Sequence, residues 1–241
     1  MVSVCIATYN GEKYIRQQLD SILPQIGEQD EVVVSDDGST DSTLDIIKKY
    51  NDERIRILHH ENKDVVTTFP LDRPTHNFEY ALSNAKGDII FLSDQDDVWL
   101  EGKVEKVLGA LQSADLVIHD TMVVDEGLNV IAESYFERVG VHQGVIPNAV
   151  RSTYLGCCMA MKRCVLERAM PFPKTKVGHD LWLGIVADMK YKTFILREPL
   201  LMYRKHSNSV TPSGTPSNYS IWFKINYRLT VFYHIIRLIL K

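Results

Sequence analysis

The stretch Asp88-Ile89-Ile90-Phe91-Leu92-Ser93-Asp94-Gln95-Asp96-Asp97-Val98-Trp99 decides how the chain is organised. Asp88 to Leu92 reads as a strand, and its apolar run is continuous, as in a strand covered on both faces. Three carboxylates follow within four residues: Asp94, Asp96 and Asp97. Crowding them at the end of a buried strand is costly unless positive charge is close by. Two carboxylates spaced D-x-D on a loop can share a hard divalent cation, Mg²⁺ or Mn²⁺. Such an ion prefers oxygen ligands and completes its shell with substrate phosphates. The competing reading is an acidic cap on the helix that follows. Asp97 fits that role. For Asp94 and Asp96 together the metal reading is favoured, because a second acidic turn lies upstream.

The same pattern recurs on either side. Val2 to Ala7 is an apolar strand, Thr8-Tyr9-Asn10-Gly11 a turn, and Glu12 to Leu23 carries helical spacing at Tyr14, Ile15, Leu19, Ile22 and Leu23. Glu31 to Ser35 is a second buried strand that ends in Asp36-Asp37-Gly38-Ser39-Thr40-Asp41, where Ser39 to Asp41 can cap the next helix. A cap accounts for one carboxylate well and two adjacent ones poorly. Arg54 to Leu58 reads as a third strand, and residues 75–86 and about 100–111 as helices. Strand–loop–helix repeated predicts a doubly wound, mostly parallel α/β sheet, whose ligands lie beyond the carboxyl ends of the strands. The turn after strand one, Asp36-Asp37 and Asp94-Gln95-Asp96 therefore converge on one edge.

The rhythm then changes. Ala114 to His119 is a strand, with Met122 to Asp125 as a continuing meander. Gly156-Cys157-Cys158 either lets a ligand approach the backbone or is tight core packing. A basic helix at 162–169 follows, then an amphipathic helix opened by Gly178-His179-Asp180 and a strand at Lys192 to Leu196. Residues 207–218 read as a flexible loop.

At 241 residues, with 45% apolar and 24% charged residues, the composition is that of an ordinary globular protein. None of the four cysteines forms a CxxC pair, so they read as reduced core residues of a cytoplasmic protein. The chain enters its first strand at once, with no signal-like segment, and no apolar run is long enough to span a bilayer. The net charge of -4 conceals an asymmetry: residues 1–198 carry -10, whereas the tail from 199 carries +6 and no acid at all. An acidic body argues against nucleic acid as a partner. A basic tail argues for an anionic one.

Six pieces of sequence carry a family resemblance: VSVCIATYNGEKYIRQQLDSIL, VVVSDDGSTDST, GDIIFLSDQDDVW, GCCMAMKR, HDLW and YRKHSNS. Together, and in this order, they resemble the family 2 glycosyltransferases of the GT-A fold, over residues 1–210. FLSDQDDVW is most similar to the form found in bacterial enzymes that build O-antigen, capsule or cell-wall polysaccharide. The resemblance implies a Rossmann-like nucleotide-sugar half at 1–112, an acceptor and catalytic half at 113–210, and a separate basic amphipathic helix at 211–241. It also implies residue roles. Ala7, Thr8, Tyr9 and Asn10 border the nucleobase, and Asp36 and Asp37 bind base and ribose. Asp94 and Gln95 face ribose and donor sugar, and Asp96 binds the metal. Asp180 is the catalytic base, although His179 stands where the family usually has an acid. His206 closes over metal or diphosphate, assisted by Arg204, unless it is an exposed loop histidine.

The implied reaction is inverting transfer from a nucleotide-diphosphate sugar, UDP-hexose or dTDP-rhamnose, to a hydroxyl of a glycan or lipid-linked glycan. A divalent ion offsets the charge of the departing diphosphate, and one carboxylate takes the acceptor proton. A sugar nucleotidyltransferase is the alternative, but the turn ATYNG lacks the basic residues its phosphate loop needs. A non-catalytic nucleotide-sugar-binding subunit is a third reading, against which Asp37, Asp96 and Asp180 count. Along Ser220 to Lys241, Asn226, Thr230, His234, Arg237 and Lys241 share one face, and Ile225, Leu229, Phe232, Ile236 and Leu240 the opposite one. Residues 219–241 thus suit peripheral contact with the inner face of the membrane, a homodimer, or packing on the body.

Overall fold

The computed structural model describes residues 1–60, 69–174, 177–206 and 220–240. The loop read at 207–218 lies outside them. The first half alternates strand and helix: β1 (Val2–Thr8), α1 (Ile15–Ile22), β2 (Glu31–Asp36), α2 (Thr43–Lys48), β3 (Ile55–His59), α3 (Asp72–Asn84) and β4 (Ile89–Asp94). β3, β2, β1 and β4 lie side by side in that order, all parallel. Every residue of β2 and all but one of β1 are buried, so the sheet is covered on both faces, as its unbroken apolar runs predict.

Register fixes what the carboxyl edge presents. Ala7 lies beside both Ser35 and Asp94, and Thr8 beside Asp36. The three turns that follow β1, β2 and β4 therefore open at one level.

The second half is β5 (Val98–Trp99), α4 (Lys103–Leu111), β6 (Leu116–Val124), β7 (Val130–Ala132), α5 (Tyr135–Val139), α6 (Val145–Val150), β8 (Met159–Lys162), α7 (Arg163–Ala169), α8 (His179–Lys190), β9 (Thr193–Arg204) and α9 (Ile221–Ile239). β8 continues the sheet antiparallel to β4, β6 pairs antiparallel with β8, β9 runs parallel to β6, and β5 closes the edge antiparallel to β9.

Three elements differ from the sequence reading. Leu116–Val124 is one strand and not a meander, because β9 supports it along its length through two register shifts. β9 itself runs twelve residues, well past Leu196. The helix expected from residue 100 begins at Lys103, because Val98 and Trp99 are taken up as β5. Cys5, Cys157 and Cys158 are buried as expected, whereas Cys164 is exposed.

The core is continuous from β1 to α8. Gly184, in the middle of α8, is there for contact: a Cβ would stand 2.1 Å from the Tyr154 ring. That ring cannot easily retreat, since the Tyr154 hydroxyl donates to Asp188 Oδ2 at 2.5 Å. Gly184→Ala is expected to destabilise the fold by about 1–3 kcal/mol through overpacking, read as a lower urea midpoint, despite alanine's better helix propensity.

Candidate active site

The acidic edge is assembled from four chain segments. Asp36 holds the turn after β2: its carboxylate accepts from Thr8 Oγ1 at 3.0 Å, from Ser39 N at 2.9 Å and from the Ser39 hydroxyl at 2.5 Å. It is 1% exposed. Asp37, beside it, is ion-paired with Arg73 at 3.0 Å, and Asp37 N donates to Thr8 O at 2.9 Å. The two adjacent acids thus have different surroundings. Arg73 reaches in from the first turn of α3, 5.3 Å above the Tyr9 ring.

The turn after β1 is locked to the neighbouring turns. Asn10 adopts a φ of +48°, a conformation asparagine tolerates better than most residues. Its N–H donates to Ser39 Oγ, and its Oδ1 accepts from Thr40 N, each at 2.9 Å. On the other side the Gln95 amide clamps Tyr9: Oε1 accepts from Tyr9 N at 3.0 Å, and Nε2 donates to Tyr9 O at 3.1 Å. Gly11 makes room for this clamp, as a Cβ there would lie 2.3 Å from Gln95 Oε1.

Asp96 and His206 meet directly, Oδ2 to Nε2 at 2.6 Å, and the His206 side chain is only 8% exposed. His206 is therefore not an exposed loop histidine. Its ring lies 5.0 Å from that of Tyr14, which brings the start of α1 to the same place. Arg204 lies behind the turn. Its Nε donates to Asp96 O at 2.7 Å, Nη1 to Glu126 O at 2.7 Å and Nη2 to Gln17 Oε1 at 2.5 Å. At 4% exposure it organises the acidic turn from inside.

Asp97 is not a helix cap. It is fully buried, and its Oδ1 accepts from Arg204 N at 3.0 Å. Burial and the charges of Asp96 and Asp94 push its carboxyl well up. Asp94 is pushed up to about 7, first by enclosure, then by Asp96 and Asp180. Lys103, buried under the turn, is brought down to about 8 by desolvation. Its ammonium donates to Cys157 O at 3.1 Å and lies 4.0 Å over the Trp99 ring. Asp94, Asp97 and the Cys157 thiol come within 4.8 Å of one another. The thiol is held well up by its hydrogen bond with Cys158 and by burial, which disfavours the thiolate a metal would need.

Asp180 opens α8 in its first turn, where the helix dipole favours a carboxylate. Gly178 clears space for it, since a Cβ would stand 2.7 Å from Asp180 Oδ1. Its charge acts on Asp94, Tyr135 and Tyr227, so it lies near the D-x-D turn. His179 is packed into the core. It is 8% exposed and stacked on Phe78 at 4.2 Å, and burial lowers its pKa and holds it neutral. A Cβ on Gly156 would stand 2.7 Å from His179 Nε2, so Gly156 makes room for that ring.

The structure thus brings together Thr8 to Asn10, Asp36, Asp37, Asp94 to Asp96, Asp180, Arg204 and His206. Sequence reading missed Arg73, Gln17, Glu126 and Lys103. Arg73 and Lys103 stand in the first turns of helices, where they look like ordinary surface cations. Only the depth of the neighbouring strands makes them partners of buried acids.

Gly11→Ala is expected to expel the Gln95 amide and cost about 1–2 kcal/mol, the worth of two modest hydrogen bonds. Gln95→Ala should cost a similar amount. The double variant should cost far less than the sum, because both remove one clamp. Chemical denaturation of the four proteins measures the cycle.

Comparison with known proteins agrees with this architecture. The family model "Glycosyl transferase family 2" matches residues 3–169. The Escherichia coli protein WfaP, named as a UDP-Glc:alpha-D-GlcNAc-diphosphoundecaprenol beta-1,3-glucosyltransferase, is 27% identical over 100% of this chain and 95% of its own. Shigella flexneri RfbG, named as a dTDP-rhamnosyl transferase, is 27% identical over 92% of this chain and 77% of its own. The crystal structure of S. aureus TarS 1-349 in complex with UDP-GlcNAc superposes with a TM-score of 0.71 at 20% identity, over 100% of this chain and 66% of that one. The fold is that of the GT-A structures, and the chain belongs to glycosyl transferase family 2, as an enzyme of the glycosyltransferase class.

Proposed function

We propose that the protein transfers a hexose or deoxyhexose from a nucleotide-diphosphate sugar to a hydroxyl of a glycan or lipid-linked glycan, by single displacement with inversion. The observation that carries this reading is the acidic turn Asp94 to Asp96 at the carboxyl edge of the sheet, with the His206 imidazole 2.6 Å from the Asp96 carboxylate and the charge of Asp180 acting on Asp94. The names of WfaP and RfbG, and the UDP-GlcNAc held by TarS, support UDP-hexose or dTDP-rhamnose as donor. The acceptor in the name of WfaP, a diphosphoundecaprenol-linked GlcNAc, supports a lipid-linked glycan as acceptor.

Thr8 to Asn10, Asp36 and Asp37 take the nucleoside. Asp36 does so indirectly, its carboxylate being occupied in shaping the turn, while Asp37 and Arg73 line the base side. Asp94 and Gln95 face ribose and sugar. The carboxylate of Asp96 and the imidazole of His206 are a mixed oxygen and nitrogen donor pair that fits Mn²⁺ better than Mg²⁺, and the like charge that crowds Asp94 is what a cation there would relieve. Bound there, the ion supplies charge stabilisation to the departing diphosphate. Arg204 contributes through Asp96, whose backbone it fixes. Asp180 takes the proton of the acceptor hydroxyl as that oxygen attacks the anomeric carbon.

Asp180→Asn conserves volume and removes only the proton acceptor. It is expected to keep donor affinity and lose turnover by about 10²–10⁴-fold, the usual worth of a general base. The product of the wild-type enzyme should carry the anomeric configuration opposite to the donor's, read from its NMR coupling constant. Retention of configuration, or collapsed donor affinity with turnover preserved, would remove Asp180 from the role of base.

A further inference from the structure

The last helix turns its expected apolar face outward. α9 docks on the body through Tyr227, Val231, Ile235 and Leu238, and the Tyr227 ring lies 5.5 Å from that of Phe69. Opposite that contact, Trp222, Ile225, Leu229, Tyr233, Ile236 and Leu240 wind onto one stripe at helical spacing. They are exposed by 81, 43, 64, 55, 56 and 80% respectively. The stripe runs about 27 Å at 1.5 Å per residue. α6 lies against α9, joined by a hydrogen bond from Arg228 Nε to Val150 O at 3.0 Å, and it leaves Ile146 and Val150 exposed as well. Ten of the sixteen exposed large apolar side chains among the described residues belong to these two helices. Scattered singly they would need no explanation, but gathered in this way they mark a contact surface.

The charge around the stripe decides what it contacts. α9 carries Lys224, Arg228 and Arg237 and no carboxylate. Arg237 is exposed, and with Lys174 and His234 it rims a cavity of about 380 Å³ floored by Phe172, Trp182 and Leu238. Lys224 and Arg228 are half-buried on the side of α9 that meets the body, so the exposed cations beside the stripe are Arg237 and Lys174. In a twofold pairing of α9 with its own copy, Arg237 would find no acid on either helix to answer it. An anionic bilayer answers both cations. Apolar side chains enter the acyl boundary, Trp222 and Tyr233 suit the headgroup level, and Arg237 and Lys174 gain from the surface potential.

We propose that α9 and α6 form a docking surface for an anionic lipid bilayer, which holds the body at the membrane. The purpose of such docking rests on the lipid-linked acceptor proposed above, but its test does not. The inner side of the same helix packs on the body where Tyr227 meets Phe69, so docking of the outer side would hold the body at the lipid surface.

The test is cosedimentation of the full chain with vesicles of equal parts phosphatidylcholine and phosphatidylglycerol, and with phosphatidylcholine alone. The wild type should pellet with the anionic vesicles at low salt and be released at high salt. Leu229→Glu combined with Ile236→Glu should weaken the association by about tenfold or more, while the melting temperature and the thermal shift on UDP addition remain as in the wild type. Failure of the wild type to pellet with anionic vesicles would overturn the proposal. So would sedimentation velocity showing a wild-type dimer that the double variant converts to monomer. Vesicle binding without a UDP response would leave the docking surface standing and count against the donor site instead.

Discussion

The structure depends on a concentration of like charge. Parallel register puts the ends of β1, β2 and β4 at one level, and the chain places Asp36, Asp37, Asp94, Asp96 and Asp97 there. Left in a low-dielectric setting, such a group would protonate or drive the turns apart. The fold answers each acid in a different way. Asp36 is absorbed by hydroxyl and amide donors, Asp37 by Arg73, and Asp97 by the Arg204 amide above a buried Lys103. Asp94 stays crowded by Asp96 and Asp180, and Asp96 meets the His206 imidazole. What is not neutralised from within is what a cation and a diphosphate ligand would use.

The device that completes the edge is the two-residue strand β5. By pairing Val98 with Met202 and Trp99 with Leu201, it fastens the acidic turn to the end of β9. Arg204 and His206 then fall directly on Asp96. A residue more than a hundred positions away is thereby held as rigidly as a neighbour, and the chain leaving β9 starts its next segment from the site itself. α8 carries Asp180 in its first turn and buries the adjacent His179 against Phe78.

Much of this was legible in the sequence, for physical reasons. Unbroken apolar runs announce buried parallel strands, and the rule that ligands lie at their carboxyl ends places three turns together without any coordinates. The D-x-D spacing marked the acidic turn, whereas the role proposed for Asp180 came from the family resemblance. What was not legible depends on long-range pairing. Val98-Trp99 is too short to announce a strand, the length of β9 comes from its two neighbours, and the burial of Arg204 comes from both. Asp97 looked like a cap because its true partner, the Arg204 amide, is distant. Periodicity found one apolar face of α9 and missed the second, Tyr227, Val231, Ile235 and Leu238, which is the one that meets the body.

An acidic edge that holds a divalent ion, and through it a nucleoside diphosphate, is the centre of this account. The most direct test is calorimetric titration of UDP into the purified protein, with Mn²⁺ and with excess chelator, for the wild type and Asp96→Ala. The account predicts binding that requires the metal in the wild type and is lost in the variant, whose melting temperature without ligand stays close to that of the wild type. Equal UDP affinity in chelator, or undiminished Mn²⁺-dependent binding by Asp96→Ala, would contradict it.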